Sequence, residues 1–475
     1  MIILTVSVFL KITKLSMKLM RILSSINPKR INPMSIAIVV TISTMITKAR
    51  KQLEISTPKN DPAETTFDIS EVIRQKSLLA FFQPIMSVTG KKILGLEGLI
   101  RGIVPDSDQL IPPKQLFDAA AETGLTIPLD RACRNAVLAA FQDYYYANQD
   151  LLLFLNLDTA IIDEVGGSNY LCGQVSHSGI SPKNIVIEIN ESKALDTHGL
   201  TQFVVTYKSK GFLIALDDVG AGFSNMDRIA GLKPDIVKID RSIIQDMDRI
   251  YHKQEVFKSL VNLTNKIGAL IVAEGVETRA EAIQVLKLGG QVIQGFYFAR
   301  PGNDFVLKAE LIVKTTEVVD AYKALLLEEL EDYNHKCLVY THTVNGIIKA
   351  LAVVDRPDEF DGQLQKCLIK ADAVDCAYVL DESGIQCSDT IGAKNIGACE
   401  KLVFHSAKMG VDHSIKNFYY NLIKRKQDTY ISEPYVSMAT GSLCITYSRV
   451  FRLAAKKYIL CVDFLETQQP LPISL

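Results

Sequence analysis

The sequence predicts an α/β chain: a closed (β/α)8, TIM-like barrel of roughly 240 residues, followed by a smaller α+β domain on an antiparallel sheet. Three observations predict it. From Phe67 to about Pro301, short apolar runs alternate with stretches of helical periodicity. Polar or charged residues stand at the ends of nearly all of those runs. After Lys336 the pattern changes to successive strands joined by tight turns.

In chain order, Ile69–Leu79 reads as a helix, and Ala80–Val88 and Ile93–Arg101 as two strands turning at Gly90. Further strands are expected at Leu151–Leu157, Ile185–Ile189, Leu213–Leu216, Ile236–Ile239, Leu270–Ala273 and Val292–Phe298. Helices are expected between them at Pro113–Glu122, Asp130–Tyr144, Leu200–Lys208, Met226–Ala230, Gln254–Lys266 and Ala280–Leu288. Phe305–Tyr333 carries Leu, Val and Ile at helical spacing and reads as a connecting helix. Beyond it, Cys337–Thr341, Ala377–Leu380, Ile385–Ser388, Tyr430–Met438, Ser442–Val450 and Lys457–Phe464 read as strands, with Ile415–Arg425 helical. The domains expected are 1–63, an N-terminal extension; 64–303, the barrel; 304–335, the connecting helix; and 336–470, the second domain.

The 475 residues leave room for two or three domains. A net charge of −1 gives no bias towards nucleic acid, so no DNA partner is expected. Nine cysteines without a C-x-x-C pair suit reduced thiols rather than a disulfide framework or zinc module. The extension is apolar over Met1–Leu10, basic over Lys11–Arg30 and uncharged over Ile31–Thr47. It reads as a disordered or amphipathic tail, as an upstream extension of a chain starting at Met34 or Met45, or as a weak membrane anchor. The expected location is the cytoplasm, with membrane association through this extension as the alternative.

Leu213–Ser224 (LIALDDVGAGFS) is the most informative stretch. A buried strand runs into two adjacent carboxylates, Asp217 and Asp218, and then a Gly-Ala-Gly turn. Alone, such a pair also suits a solvated acidic turn. The neighbouring strands decide otherwise. Glu97, Asn156, Glu188, Glu191, Lys238, Asp240, Glu274, Glu277 and Gln294 occupy or flank the other runs, and chemistry in such barrels gathers at the strands' C-terminal ends. An oxygen-rich set without His or Cys suits Mg²⁺ or Mn²⁺.

These segments resemble the EAL-domain cyclic-di-GMP phosphodiesterases. The naming signature is Glu97-Gly98-Leu99 with Ile100-Arg101. Also similar are Gln83-Pro84-Ile85, Asn156-Leu157, Glu188-Ile189-Asn190-Glu191-Ser192 and Asp217–Ser224. Lys238-Ile239-Asp240-Arg241, Ala273–Thr278 and Gln294-Gly295-Phe296 complete the order. The resemblance implies hydrolysis of cyclic-di-GMP to linear pGpG by two divalent ions. The first would be held by Glu97, Asn156, Glu188 and Asp217. Asp217 would bridge to the second, beside Asp218 and Glu274. The catalytic group implied is Lys238, orienting the attacking water; Glu274, a proton acceptor or second-ion ligand; and Glu191, holding the Asp217–Ser224 loop. Substrate contacts implied are Gln83, Leu99, Arg101, Gln294 and Glu277. A homodimer is expected by the same resemblance, and a non-catalytic cyclic-di-GMP receptor is the alternative function.

Three positions depart from the family pattern. Gly98 stands where Ala is usual, which should loosen the strand slightly; Val219 replaces Phe and Phe223 replaces Tyr. The C-terminal domain resembles Cache domains, relatives of PAS sensors, through Tyr430–Val436, Thr440-Gly441 and Leu460–Asp463. An unidentified small-molecule ligand is therefore expected there, with Asp463, Tyr435 and Tyr378 as candidate pocket residues.

Overall fold

The computed structural model describes residues 67–158, 169–190, 197–222, 226–303, 309–369, 371, 373–392 and 404–466. The N-terminal extension lies outside the described residues. Among the described residues no helix is long and apolar enough to cross a membrane.

Eight strands close into a barrel. They are β1 (Leu78–Ser87), β2 (Lys92–Ile103), β4 (Leu152–Leu157), β5 (Ile185–Asn190), β6 (Leu213–Val219), β7 (Ile236–Ile239), β8 (Leu270–Ala273) and β9 (Val292–Gln294). Short β3 (Leu110–Ile111) extends β2 outside the ring. β1 pairs antiparallel with both β2 and β9, and every other seam of the ring is parallel. β1 is thus the one antiparallel strand of the ring.

Side-chain alternation along the strands builds the interior. Ile85, Phe154, Val186, Ala215, Ile236, Val272 and Val292 form a buried apolar plug inside the ring. Two residues further towards the mouth, the same strands carry Gln83 (β1 runs the other way), Asn156, Glu188, Asp217, Lys238 and Gln294, and Glu274 directly follows β8. On β2, Gly95 leaves room for the plug, since a Cβ there would lie 2.8 Å from the Phe154 ring, and Glu97 follows it. A period of two thus converts a hydrophobic layer into a polar one. Outside the ring, the opposite faces pack on helices such as Thr126–Ala147, whose Val137 and Phe141 are buried in the outer core.

The second sheet is antiparallel, in the order β11 (Ile391–Gly392), β10 (Val374–Asp381), β15 (Lys456–Leu465), β14 (Leu443–Leu453), β12 (Thr429–Ile431), with β13 (Tyr435–Val436) also on β14. Two expectations fail here. Cys337–Thr341 is not a strand: helix Ala309–Leu351 runs straight through it, so the boundary expected at residue 336 falls inside that helix. Buried Tyr340, Val344, Ile347 and Leu351 continue at helical spacing and seat the helix on the sheet, overriding the β-branched and aromatic character of the local run. Among the described residues Ile385–Ser388 makes isolated bridges alone, Leu380 to Gln386 and Ile385 to Asp412. Helix Phe360–Leu368, not foreseen, closes the same core.

Candidate active site

Lys238 is the centre of the barrel mouth. Its side chain is 1% exposed, and Nζ lies 2.5 Å from Glu188 Oε1, 2.6 Å from Glu274 Oε1 and 3.0 Å from Asp217 Oδ1. Burial alone would depress this ammonium, but Glu188, Glu274, Glu97 and Asp217 together hold it well above the ordinary lysine range. The same burial pushes Glu188 far above the usual carboxylate range, and Glu274 up to about 8, despite the Lys238 charge.

Asp217 and Asp218 are adjacent, so a regular strand would aim them at opposite faces. The register against β7 slips between Leu216 and Val219, and Asp218 takes a left-handed φ of 57°. This bulge turns both carboxylates towards one place. Oxygens of Asp217, Asp218 and Glu274 lie within 4.8 Å of one another. Burial and the neighbouring Asp217 raise the Asp218 carboxyl, whose Oδ2 accepts from Asn190 Nδ2 at 2.5 Å. Gly220 follows at φ 101°, where a Cβ would come within 2.2 Å of Ile243.

Beyond Lys238, Asn156 Nδ2 donates to Glu97 Oε1 at 3.2 Å, and Gln294 Nε2 donates to Glu97 Oε2. Gln294 Nε2 also reaches Gln83 Oε1 at 3.2 Å, while Gln83 Nε2 donates to the Ala299 carbonyl at 3.1 Å. Leu99 and Arg101 follow Glu97 on the same face of β2, and all three are half-buried. Burial lowers the Arg101 guanidinium, which lies over the Phe81 ring at 5.4 Å.

Glu277 is set apart in its contacts: it is partly exposed and pairs with Arg241 Nη2 at 3.1 Å. Its backbone N–H donates to Glu281, which with Thr278 forms a reciprocal cap on helix Arg279–Lys287 and so fixes the loop after Glu274. Glu191, Phe223 and Ser224 lie outside the described residues. Sequence reasoning missed Asn190, which lies within the Glu188–Ser192 motif and orients Asp218; an amide next to a carboxylate motif was the signal.

The chemistry of the donors fits divalent cations. Glu97, Glu188, Asp217, Asp218 and Glu274 are five carboxylates around one ammonium, a surplus of four negative charges if all ionise. Both Glu188 oxygens, Asp217 Oδ1 and Glu274 Oε1 are buried without a hydrogen bond, although three of these atoms face Lys238. All are hard oxygen donors.

Residues 67–301 match the EAL domain family model. The uncharacterized EAL-domain containing protein YkuI of Bacillus subtilis (strain 168) is 25% identical over 402 residues, covering 82% of this chain and 93% of YkuI. The YkuI crystal structure, a complex with substrate c-di-GMP and calcium, superposes with a TM-score of 0.72 at 23% identity, covering 85% of this chain and all of that one. The likeness in fold therefore extends past the barrel. The probable cyclic di-GMP phosphodiesterase PdeB of Escherichia coli (strain K12) is 26% identical over 244 residues, 51% of this chain and 46% of PdeB. The cyclic di-GMP phosphodiesterase RocR of Pseudomonas aeruginosa is 25% identical over 223 residues, 47% of this chain and 57% of RocR. This chain thus spans about half the length of those two relatives. Its barrel, residues 67–301, belongs to the EAL-domain family.

Proposed function

We propose that the barrel is a cyclic-di-GMP phosphodiesterase, hydrolysing one phosphodiester bond to give linear pGpG, with two Mg²⁺ or Mn²⁺ ions. The observation that carries it is the meeting of Glu97, Asn156, Glu188, Asp217, Asp218 and Glu274 with Lys238 at one barrel end. Glu97, Asn156, Glu188 and Asp217 would hold one ion; Asp217, Asp218 and Glu274 would hold the other. Bound there, the ions supply Lewis acidity and a water of lowered pKa. The chain's own residues do the rest. Lys238 orients the attacking water and balances charge developing on phosphate. Glu274, where it is not bound to the second ion, is the group that takes up the proton the water loses. Gln83, Leu99, Gln294 and Arg101 line the approach to the metal ligands on β1, β2 and β9, where the Arg101 fork suits a phosphate. Glu191 supports the loop after Asp218, and Glu277, through Arg241, flanks the approach. The C-terminal domain senses a small molecule and adjusts this activity, and the chain works as a homodimer.

The test is incubation with cyclic-di-GMP and Mg²⁺ or Mn²⁺, with product analysis. The expected product is pGpG, and it disappears in Glu97→Ala and Asp217→Asn. Tight retention of uncleaved nucleotide establishes a receptor instead, and full rate in either variant removes the metal assignment.

A further inference from the structure

The C-terminal domain contains a cavity of about 430 Å³ on one face of its sheet. The candidate residues Tyr378, Tyr435 and Asp463 all line it, from β10, β13 and β15. Asp463 is 3% exposed and, among the described residues, takes hydrogen bonds from neutral groups alone: Thr446 Oγ1 at 2.8 Å, Tyr435 Oη at 3.1 Å and Cys376 Sγ at 3.5 Å. Burial raises the Asp463 carboxyl, and a neighbouring carboxylate, Asp375, raises it further. Among the described residues, no ion pair involves it.

A buried carboxylate without a cation is costly, and burial pushes Asp463 up to about 6. Around it the cavity presents the rings of Tyr378, Phe418, Tyr430 and Tyr435. Aromatic faces attract cations and repel anions, and the attraction grows when water is excluded. One buried anion walled by aromatic rings therefore favours an ammonium ligand over an anionic one.

From this geometry we infer that the cavity binds a small organic ammonium, seated on Asp463 and enclosed by the aromatic wall. This names the chemistry of the ligand assigned to the C-terminal domain above, and it stands or falls on binding alone, whether or not the barrel cleaves its substrate. Two sources share that chemistry, simple amines and amino acids. An amino acid's carboxylate would find Lys416, an exposed lysine on the cavity lining.

The experiment is calorimetric titration of the full chain with ethylammonium, putrescine, phenethylamine and the protein amino acids. Deaminated partners, 2-phenylethanol and 3-phenylpropanoate, serve as controls. At least one ammonium compound should bind where its deaminated partner does not. Asp463→Asn should weaken it by about 30-fold or more, the loss of one charged hydrogen bond and its ion pair. Tyr430→Leu, at a half-buried ring, should weaken it several-fold with the melting temperature kept. Lys416→Ala should weaken amino acids alone if they are the source and leave simple amines untouched. Absence of binding by every ammonium compound at about 10 mM overturns the inference. So does equal binding of the deaminated partners, or unchanged affinity in Asp463→Asn. Should Asp463→Asn fail to fold, unchanged affinity in Tyr430→Leu overturns it.

Discussion

Gly98, the glycine at the centre of the Glu97-Gly98-Leu99 signature, can be tested by adding a single methyl. A Cβ at residue 98 would lie 2.3 Å from Val137 Cγ1 and 3.4 Å from both Val137 Cβ and Cγ2. Val137 is 2% exposed on helix Thr126–Ala147, wedged between that helix and β2. Two effects of Gly98→Ala oppose each other. A β-region glycine gains about 0.4–1 kcal/mol on becoming alanine, because the unfolded chain loses freedom. Overpacking a closed core costs about 1–3 kcal/mol, and a branched valine on a helix has little room to yield. The clash should win, leaving a net loss of about 1–2 kcal/mol, or several degrees in Tm for a domain of this size. Val137→Ala alone should cost about 2 kcal/mol through two lost methyl groups and the cavity left. The double variant should be more stable than the sum of the two by at least about 1 kcal/mol, since alanine at 98 fills the space that Val137 vacates. Urea unfolding of the four proteins measures this. A Gly98→Ala protein at least as stable as wild type, or additive losses in the double variant, refutes the reasoning. The glycine is therefore matched to its neighbour, not merely a loosened strand.

Three further outcomes are expected. Lys238→Met leaves Glu188, Asp217 and Glu274 without their common cation, which should cost about 3–5 kcal/mol in chelator; added Mn²⁺ should restore part of it, and an unchanged Tm in chelator would show that the lysine is not what holds these carboxylates. Asp463 has a folded pKa near 6 against an ordinary 3.8, so its proton binds more tightly in the folded state; stability from this group is greatest below about pH 4 and falls by about 3 kcal/mol as pH rises through 6, and Asp463→Asn should remove that slope from urea midpoints between those values. Gly295→Ala would place a Cβ 2.0 Å from the Val276 carbonyl oxygen and 2.4 Å from its nitrogen, backbone atoms that cannot swing aside; a loss above about 3 kcal/mol, visible as lost soluble yield or a much lower Tm, is expected, and a native Tm would sink the assignment.

Much of the barrel was legible because strand chemistry repeats locally. Val186 and Glu188, Ile236 and Lys238, or Val272 and Glu274 each place an apolar residue two positions before a polar one, and that spacing reads directly from the chain. The helix through Cys337–Thr341 was not legible, because a five-residue apolar run fits either element. Only the burial of Tyr340, Val344 and Ile347 against the distant β14 and β15 selects helix there.

By itself, then, the sequence determined which residue types line the mouth and that oxygen, not nitrogen or sulfur, would dominate it. Tertiary structure alone decided that Asp217 and Asp218 face the same way, through a bulge whose extra residue cannot be seen in the chain. It alone placed Lys238 between three carboxylates, Val137 in the space a methyl at residue 98 would need, and Asp463 under an aromatic wall. The physical reason is common to all four. Alternation and propensity act between near neighbours, whereas close contacts between residues far apart in sequence exist only once the sheets have closed.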